Sequence, residues 1–308
     1  MSPAPKVSIL HDRAAMFRAA RRFFADRDIL EVDCPIISVR ASVDAHIDLI
    51  PAAEGRYLHS SPEYGMKRLL ADGIGDIYQL SHVFRNGEVG SKHNPEFMMA
   101  EWYRIGISFQ ALMEETADFI RLFLGDLPHR IISYREAFKE FAGIDYISMN
   151  DDQLMEHVET GYDSLKEEGR DAILNMILGT HIEPLLGNGE LTILAYYPAT
   201  QAALAKTTSI ENELVAERFE IYYKGMELCN GYHELADADE QRQRFIASNA
   251  HRRRLGKEEL PLDEHFLESL KRGLPDCCGV AVGFDRLMML RHQCDHIRQA
   301  IPFEWDIA

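Results

Sequence analysis

Hydrophobic positions along this chain recur with two periods, one helical and one extended. From Arg13 to Asp28, Met16, Phe17, Ala20, Phe23 and Phe24 fall at helical spacing with arginines between them, which predicts an amphipathic helix. Phe109 to Phe123 repeats the pattern through Leu112, Met113, Thr116, Phe119 and Ile120. Ser133-Tyr134-Arg135-Glu136 has the form of a capping box, and Ser61-Pro62-Glu63 that of a capped helix start. Extended segments are predicted at Ile29 to Val32, Tyr57 to Ser60, Asp76 to Leu80, Val83 to Arg85, Phe97 to Tyr103 and Leu191 to Tyr197. Phe219 to Leu228 alternates around a Lys224-Gly225 turn, and Gly231 to Leu235 continues it. Asp239 to Arg254 reads as a polar helix, and Gly279 to Gly283 as a short strand that runs into a helix over Phe284 to Arg291. Residues 145–190 read as a peripheral helical segment without chemical signal. Strands cluster in hairpins and helices in blocks, so the fold class is α+β, a mainly antiparallel sheet flanked by helices, in one domain over residues 1–308.

Composition narrows the function. The 308 residues are 46% hydrophobic and 27% charged, as in ordinary globular proteins. No apolar run reaches the roughly 20 residues of a membrane helix. Met1 to Leu10 lacks the layout of a signal peptide. Five cysteines without CxxC spacing predict a reduced, cytoplasmic protein without structural zinc. A net charge of −17 speaks against nucleic acid as the main partner, since phosphate neutralisation supplies most of that affinity. The basic run His251-Arg252-Arg253-Arg254 reads as a solvated helix face.

The chemistry concentrates in Val83-Phe84-Arg85-Asn86-Gly87-Glu88, His93-Asn94-Pro95-Glu96-Phe97 and Glu101-Trp102-Tyr103. On a hairpin, an arginine offers a planar fork for phosphate oxygens and Phe97 a face for a purine. Taken singly, each residue reads more readily as an ordinary surface-loop or core residue than as a functional one. The combined segment is far more specific, and it resembles the second signature of class II aminoacyl-tRNA synthetases in the lysyl form. Gly279-Val280-Ala281-Val282-Gly283-Phe284-Asp285-Arg286 resembles the third signature, and Ile29-Leu30-Glu31-Val32-Asp33-Cys34-Pro35 the first. Glu227 to Leu235 resembles the lysine-pocket strand. With Ser61-Pro62-Glu63-Tyr64 and Met66 to Leu70, the resemblance covers nearly the whole chain in the family's order.

Ser61 to Tyr64, Glu101 to Arg104, Ala216 to Glu220 and Tyr222 to Gly225 resemble the branch of this family that modifies elongation factor P rather than tRNA, and two further features support it. The first signature lies so near the start of this sequence that no separate anticodon-binding domain of at least ~50 residues is expected before it. Ala281 stands where the tRNA enzymes have glycine, and its methyl should disfavour α-lysine and suit β-lysine. The resemblance implies ATP and magnesium, and a homodimer formed through the first signature. Arg85 would hold the α-phosphate, Phe97 and Arg286 would sandwich adenine, and Asn86, Gly87, Glu88, His93, Asn94, Leu228 and Gly283 would surround the nucleotide. Glu227 and Glu234 would lie near the magnesium ion. Ser61, Pro62, Glu63, Tyr103, Asn230, Glu234 and Ala281 would form the amino-acid pocket, Glu63 facing the backbone-side amine and Glu234 the side-chain ammonium. One departure stands out: the family places Glu where this chain has Gly87, so Glu88 is expected to replace it in reading adenine. Two alternatives share these residues, a relative that charges tRNA and a non-catalytic amino-acid sensor.

Overall fold

The computed structural model describes residues 5–40, 42–158 and 165–308. The chain forms two compact units. The first comprises the residues up to Gly125 together with Glu234–Ala308, and the second Asp126–His233.

The first unit opens with α1 (Lys6–Ala25), then β1 (Leu30–Glu31), β2 (Ile37–Ser38), β3 (Pro51–Ala52), β4 (Arg56–Leu58), α2 (Glu63–Ala71), β5 (Ile77–Phe84), β6 (Glu96–Ile105) and α3 (Phe109–Leu124). The helix read from Arg13 starts at Lys6, because Ile9 extends the buried stripe and Pro5 fits the position before the first turn. Arg13 departs from the expected polar face: it is buried and paired with Asp285. The two segments read at Asp76 and Val83 are one strand, since Ser81 and His82 stay in register opposite Met99 and Met98. α3 matches its sequence reading, with Ser108 accepting from the Ala111 N–H at one end and Gly125 in the left-handed region (φ 87°) at the other. Pairings of two or three residues form a small β2–β4–β3 sheet that periodicity is too short to reveal.

The second unit contains β7 (His129–Ser133), α4 (Tyr134–Ala137), α5 (Asp151–Met155), α6 (Leu165–Glu168), α7 (Arg170–Ile177), β8 (Leu191–Pro198), β9 (Thr207–Ile210), β10 (Glu213–Tyr223) and β11 (Met226–His233). The capping box at Ser133 is present with both of its hydrogen bonds. β10 and β11 form an antiparallel hairpin whose Lys224 and Gly225 both take positive φ, as a tight primed turn requires. β8 runs antiparallel to β10 and parallel to β7. The helical reading of the peripheral segment holds only in short pieces, broken at Gly169 (φ 100°) and Pro184; residues 159–164 lie outside the described ones.

The first unit closes with α8 (Ala238–Arg254), α9 (Glu264–Gly273), β12 (Cys277–Gly283) and α10 (Phe284–Arg291). Its sheet runs β1-β5-β6-β12, antiparallel except for β1 beside β5. One face carries Tyr78 and Trp102 into an aromatic core. Phe24 stacks on Tyr78 at 4.0 Å, and Trp102 lies 5.3 Å from Phe24 and 5.2 Å from Phe119. The other face is left for chemistry. Among the described residues no helix is long and apolar enough to cross a membrane, and all five cysteines are free thiols.

The basic run ending α8 is not simply a solvated face. Arg252 is buried and donates to the carbonyls of Asp44, Ile47 and Glu258 and to Asp48 Oδ1, at 2.8–3.1 Å. It clamps the loop whose Asp48 carbonyl receives the Asn86 N–H. Arg252→Met keeps the length and removes every donor, so about 3 kcal/mol of stability should be lost in urea unfolding. A loss below about 1 kcal/mol would show that the clamp is solvated.

Candidate active site

Side chains alternate across a strand, so Phe97, Met99, Glu101 and Tyr103 share the face of β6 opposite Trp102. β12 lies in register beside it, with Gly283 opposite Met99, Ala281 opposite Glu101 and Gly279 opposite Tyr103. At ~3.3 Å per residue, Phe97 stands ~13 Å from Glu101 and ~20 Å from Tyr103 along the strand. The face is therefore a track with two chemically different ends.

The first end is basic and aromatic. The Arg85 guanidinium lies 5.1 Å from the centre of the Phe97 ring, and its main-chain N–H donates to the Pro95 carbonyl. Arg85 Nε is buried with no hydrogen-bond acceptor among the described residues, as expected of a donor aimed at a ligand oxygen. Arg286 contacts His93 Nε2 at 2.7 Å, and burial followed by the Arg286 charge lowers the His93 pKa, so the imidazole is the neutral acceptor. Gly87 takes φ 76°, a conformation that the family's glutamate would adopt only with strain. Glu88 instead turns back toward Arg85, at 3.8 Å. Asn86 is exposed. Gly283 leads into α10 without need of its missing side chain, since a Cβ there would meet only Arg286 at 3.6 Å. Asn94 departs from its expected role: it is buried, donates to the Glu96 carbonyl and accepts from the Trp305 N–H, so it braces the loop. Asp285 joins its neighbour to the sheet, accepting from the Met98 N–H while paired with Arg13.

The second end is a cluster of acids, Glu101 and Glu234 buried and Glu63 half-buried. Glu101 is 2% exposed, with the Tyr103 hydroxyl donating to one of its oxygens (2.7 Å) and Ser61 Oγ to the other (2.8 Å). Burial, and then the charge of Glu63, pushes its pKa up to about 8. Ser61 also accepts from the Glu63 N–H, so the helix begins one residue later than its cap pattern suggests, with Pro62 buried before it. Lys67 Nζ lies 2.6 Å from Glu63 Oε1 and 2.6 Å from Glu234 Oε2. Glu234 is 2% exposed and is held by its N–H to the Cys277 carbonyl. Gly279 is required here: a Cβ would stand 2.3 Å from the Tyr103 ring and 2.5 Å from Glu234 Oε1. Ala281, one step along the same face, is half-buried opposite Glu101.

The structure gathers Glu63, Tyr103, Glu234, Ser61 and Ala281, which the sequence reading proposed, around Glu101 and Lys67, which it did not single out. Both were legible: Glu101 lies two residues from Tyr103 on the same strand face, and Lys67 lies one helical turn after Glu63. Glu227, Leu228 and Asn230 belong to β11 in the second unit. Leu228 is core there, Glu227 is half-buried, and Asn230 Nδ2 donates to the Tyr232 hydroxyl while its buried Oδ1 has no hydrogen-bond partner among the described residues. The expectation that Glu234 sits near a magnesium ion does not fit its surroundings, because the Lys67 ammonium already occupies its carboxylate.

Residues 4–306 match the class II tRNA synthetase family (D, K and N). The chain belongs to that family. It is also 43% identical to the elongation factor P–(R)-β-lysine ligase of Pectobacterium atrosepticum, over 99% of this chain and 98% of that protein. The enzymes of the same name from Salmonella arizonae and Avibacterium paragallinarum are each 42% identical over the same shares. The basic-aromatic end holds the segments that resemble the second and third class II signatures, and Glu234 lies in the segment that resembles the lysine-pocket strand.

Two outcomes follow from the acid end. Gly279→Ala should lower thermal stability by about 1–3 kcal/mol through overpacking against Tyr103; unchanged melting would mean that the space is open. Glu101 is held protonated in the folded state and ionises at lower pH in the unfolded chain. Its contribution is therefore fully present below the unfolded pKa and is lost as pH rises toward 8. The unliganded protein should lose stability between pH 5 and 8 with a slope of up to about 1.4 kcal/mol per unit, and Glu101→Gln should flatten that slope. Parallel pH profiles for the two proteins would rule out this assignment.

Proposed function

We propose that this chain uses ATP to activate a lysine-like diamino acid, (R)-β-lysine or lysine, as its adenylate and transfers it to a lysine side chain of elongation factor P. The observation that carries the proposal is a cluster of three carboxylates gathered around Glu101, which lies ~13 Å along one strand face from Phe97 of the arginine-aromatic pair, a spacing suited to an aminoacyl adenylate. A guest with two ammonium groups needs buried acids, and a nucleotide needs the other end.

In the first step the guest carboxylate attacks the α-phosphate and pyrophosphate leaves. Arg85 meets the charge that builds on the phosphate oxygens, with its buried Nε as a ready donor. Adenine lies between Phe97 and Arg286, oriented by the loop that Asn94 braces. Glu63 takes the backbone-side amine, and Glu234 with Glu101 and Tyr103 takes the side-chain ammonium. In the second step the acceptor amine attacks the carbonyl carbon and AMP leaves. No enzyme nucleophile is required, and the protein acts by alignment and charge.

Elongation factor P as the acceptor is supported by the names of the relatives and by a net charge of −17, which disfavours a tRNA grip. Leu30 in the first signature and Ile36, Ile37 and Val39 just after it are 40–52% exposed, apolar surface that supports a two-fold homodimer there.

Diamine-dependent ATP–pyrophosphate exchange tests the first step. Arg85→Ala should reduce exchange at least about 100-fold, and Ala281→Gly should shift preference toward α-lysine by about 10-fold or more. A wild-type protein silent with every diamine would be a sensor or something else altogether. Exchange followed by transfer to tRNA, and not to elongation factor P, would replace the acceptor.

A further inference from the structure

Lys67 is the residue in this site that the reaction does not use. It is fully buried, and its position four residues after Glu63 on α2 places its ammonium over that carboxylate. It reaches equally to Glu234, 2.6 Å away. A lysine stripped of water ordinarily loses its charge. Here burial is outweighed by Glu234 and Glu63, which keep Lys67 protonated.

Two consequences follow. The first is a charge count. Lys67 cancels one of the two charges of Glu63 and Glu234, and Glu101, protonated in the empty site, supplies a further negative charge when it ionises against a guest cation, so two guest ammonium groups bring the cluster to neutrality. The second is direction. Lys67 takes Oε1 of Glu63 and Oε2 of Glu234. The other Glu234 oxygen, Oε1, borders the space above Gly279 that the Tyr103 ring also bounds. Resting on the diamino-acid reading above, we propose that Lys67 is a specificity-determining positioning residue, a resident ammonium that aims Glu63 and Glu234 and sets the pocket's charge for a guest with two cations.

The test compares wild type, K67M and K67R in ATP–pyrophosphate exchange with lysine, β-lysine and norleucine, which lacks the second ammonium. K67M should raise the KM for each diamine at least tenfold, leave the KM for ATP within twofold, and cut the preference for lysine over norleucine at least tenfold. K67R keeps the charge but cannot place one atom against both oxygens. It should retain the preference while raising the diamine KM. A merely structural lysine would lower the melting temperature without moving this KM split. The proposal is overturned by a folded K67M with unchanged diamine KM and selectivity, or by equal losses for ATP and diamine. Should K67M not fold, a K67R protein that no longer prefers lysine to norleucine overturns it. A wild type inactive with all diamines would overturn both this and the reading it rests on, whereas an active wild type with an indifferent K67M overturns this one alone.

Discussion

The first unit is organised around the cost of burying charge. Three glutamates and one lysine lie within its acid end, where an unpaired ion would be strongly destabilising. The chain meets that cost locally: hydroxyls of Ser61 and Tyr103 hold Glu101, and Lys67 bridges the other two acids. The remaining negative charge is what a doubly cationic guest would satisfy. The ground state of the empty protein is thus electrostatically incomplete, and binding energy is available at the end of the track remote from the phosphates.

The rest of the unit serves that arrangement. Trp102 and Tyr78, paired on β6 and β5, anchor the back of the sheet in an aromatic core, so β6 presents Glu101 and Tyr103 on the opposite face in fixed register. Gly279 leaves space where a methyl would strike Tyr103. Arg13 and Asp285 tie α1 to the start of α10 and to β6, which fixes the origin of Arg286. A rigid floor of this kind suits a reaction whose catalysis is mainly alignment and charge stabilisation.

Much of this was legible in the sequence, for identifiable reasons. α3 and the β10–β11 turn were read closely because a cap, a helical stripe and a Lys-Gly pair act through neighbouring residues. The two-residue strands carry no period, and Ser81 and His82 looked like a break because strand pairing tolerates polar residues that periodicity does not. In the site, residues defined by composition and motif emerged readily, Arg85, Phe97, Glu63 and Glu234 among them. Glu101 and Lys67 did not, because each looks like a surface residue until a partner from a distant segment covers it. Asn94 and Arg252 err in the other direction: their polar chemistry suggested ligand or solvent, and the fold spends it on loop carbonyls and amides.

A crystal structure of the protein with a non-hydrolysable lysyl-adenylate analogue tests the central claim most directly. The account places the adenine between Phe97 and Arg286 and the terminal ammonium within hydrogen-bond reach of Glu101 and Glu234, with Lys67 still bridging Glu63 and Glu234. An analogue bound with its ammonium in solvent, or with its adenine away from Phe97, would contradict it.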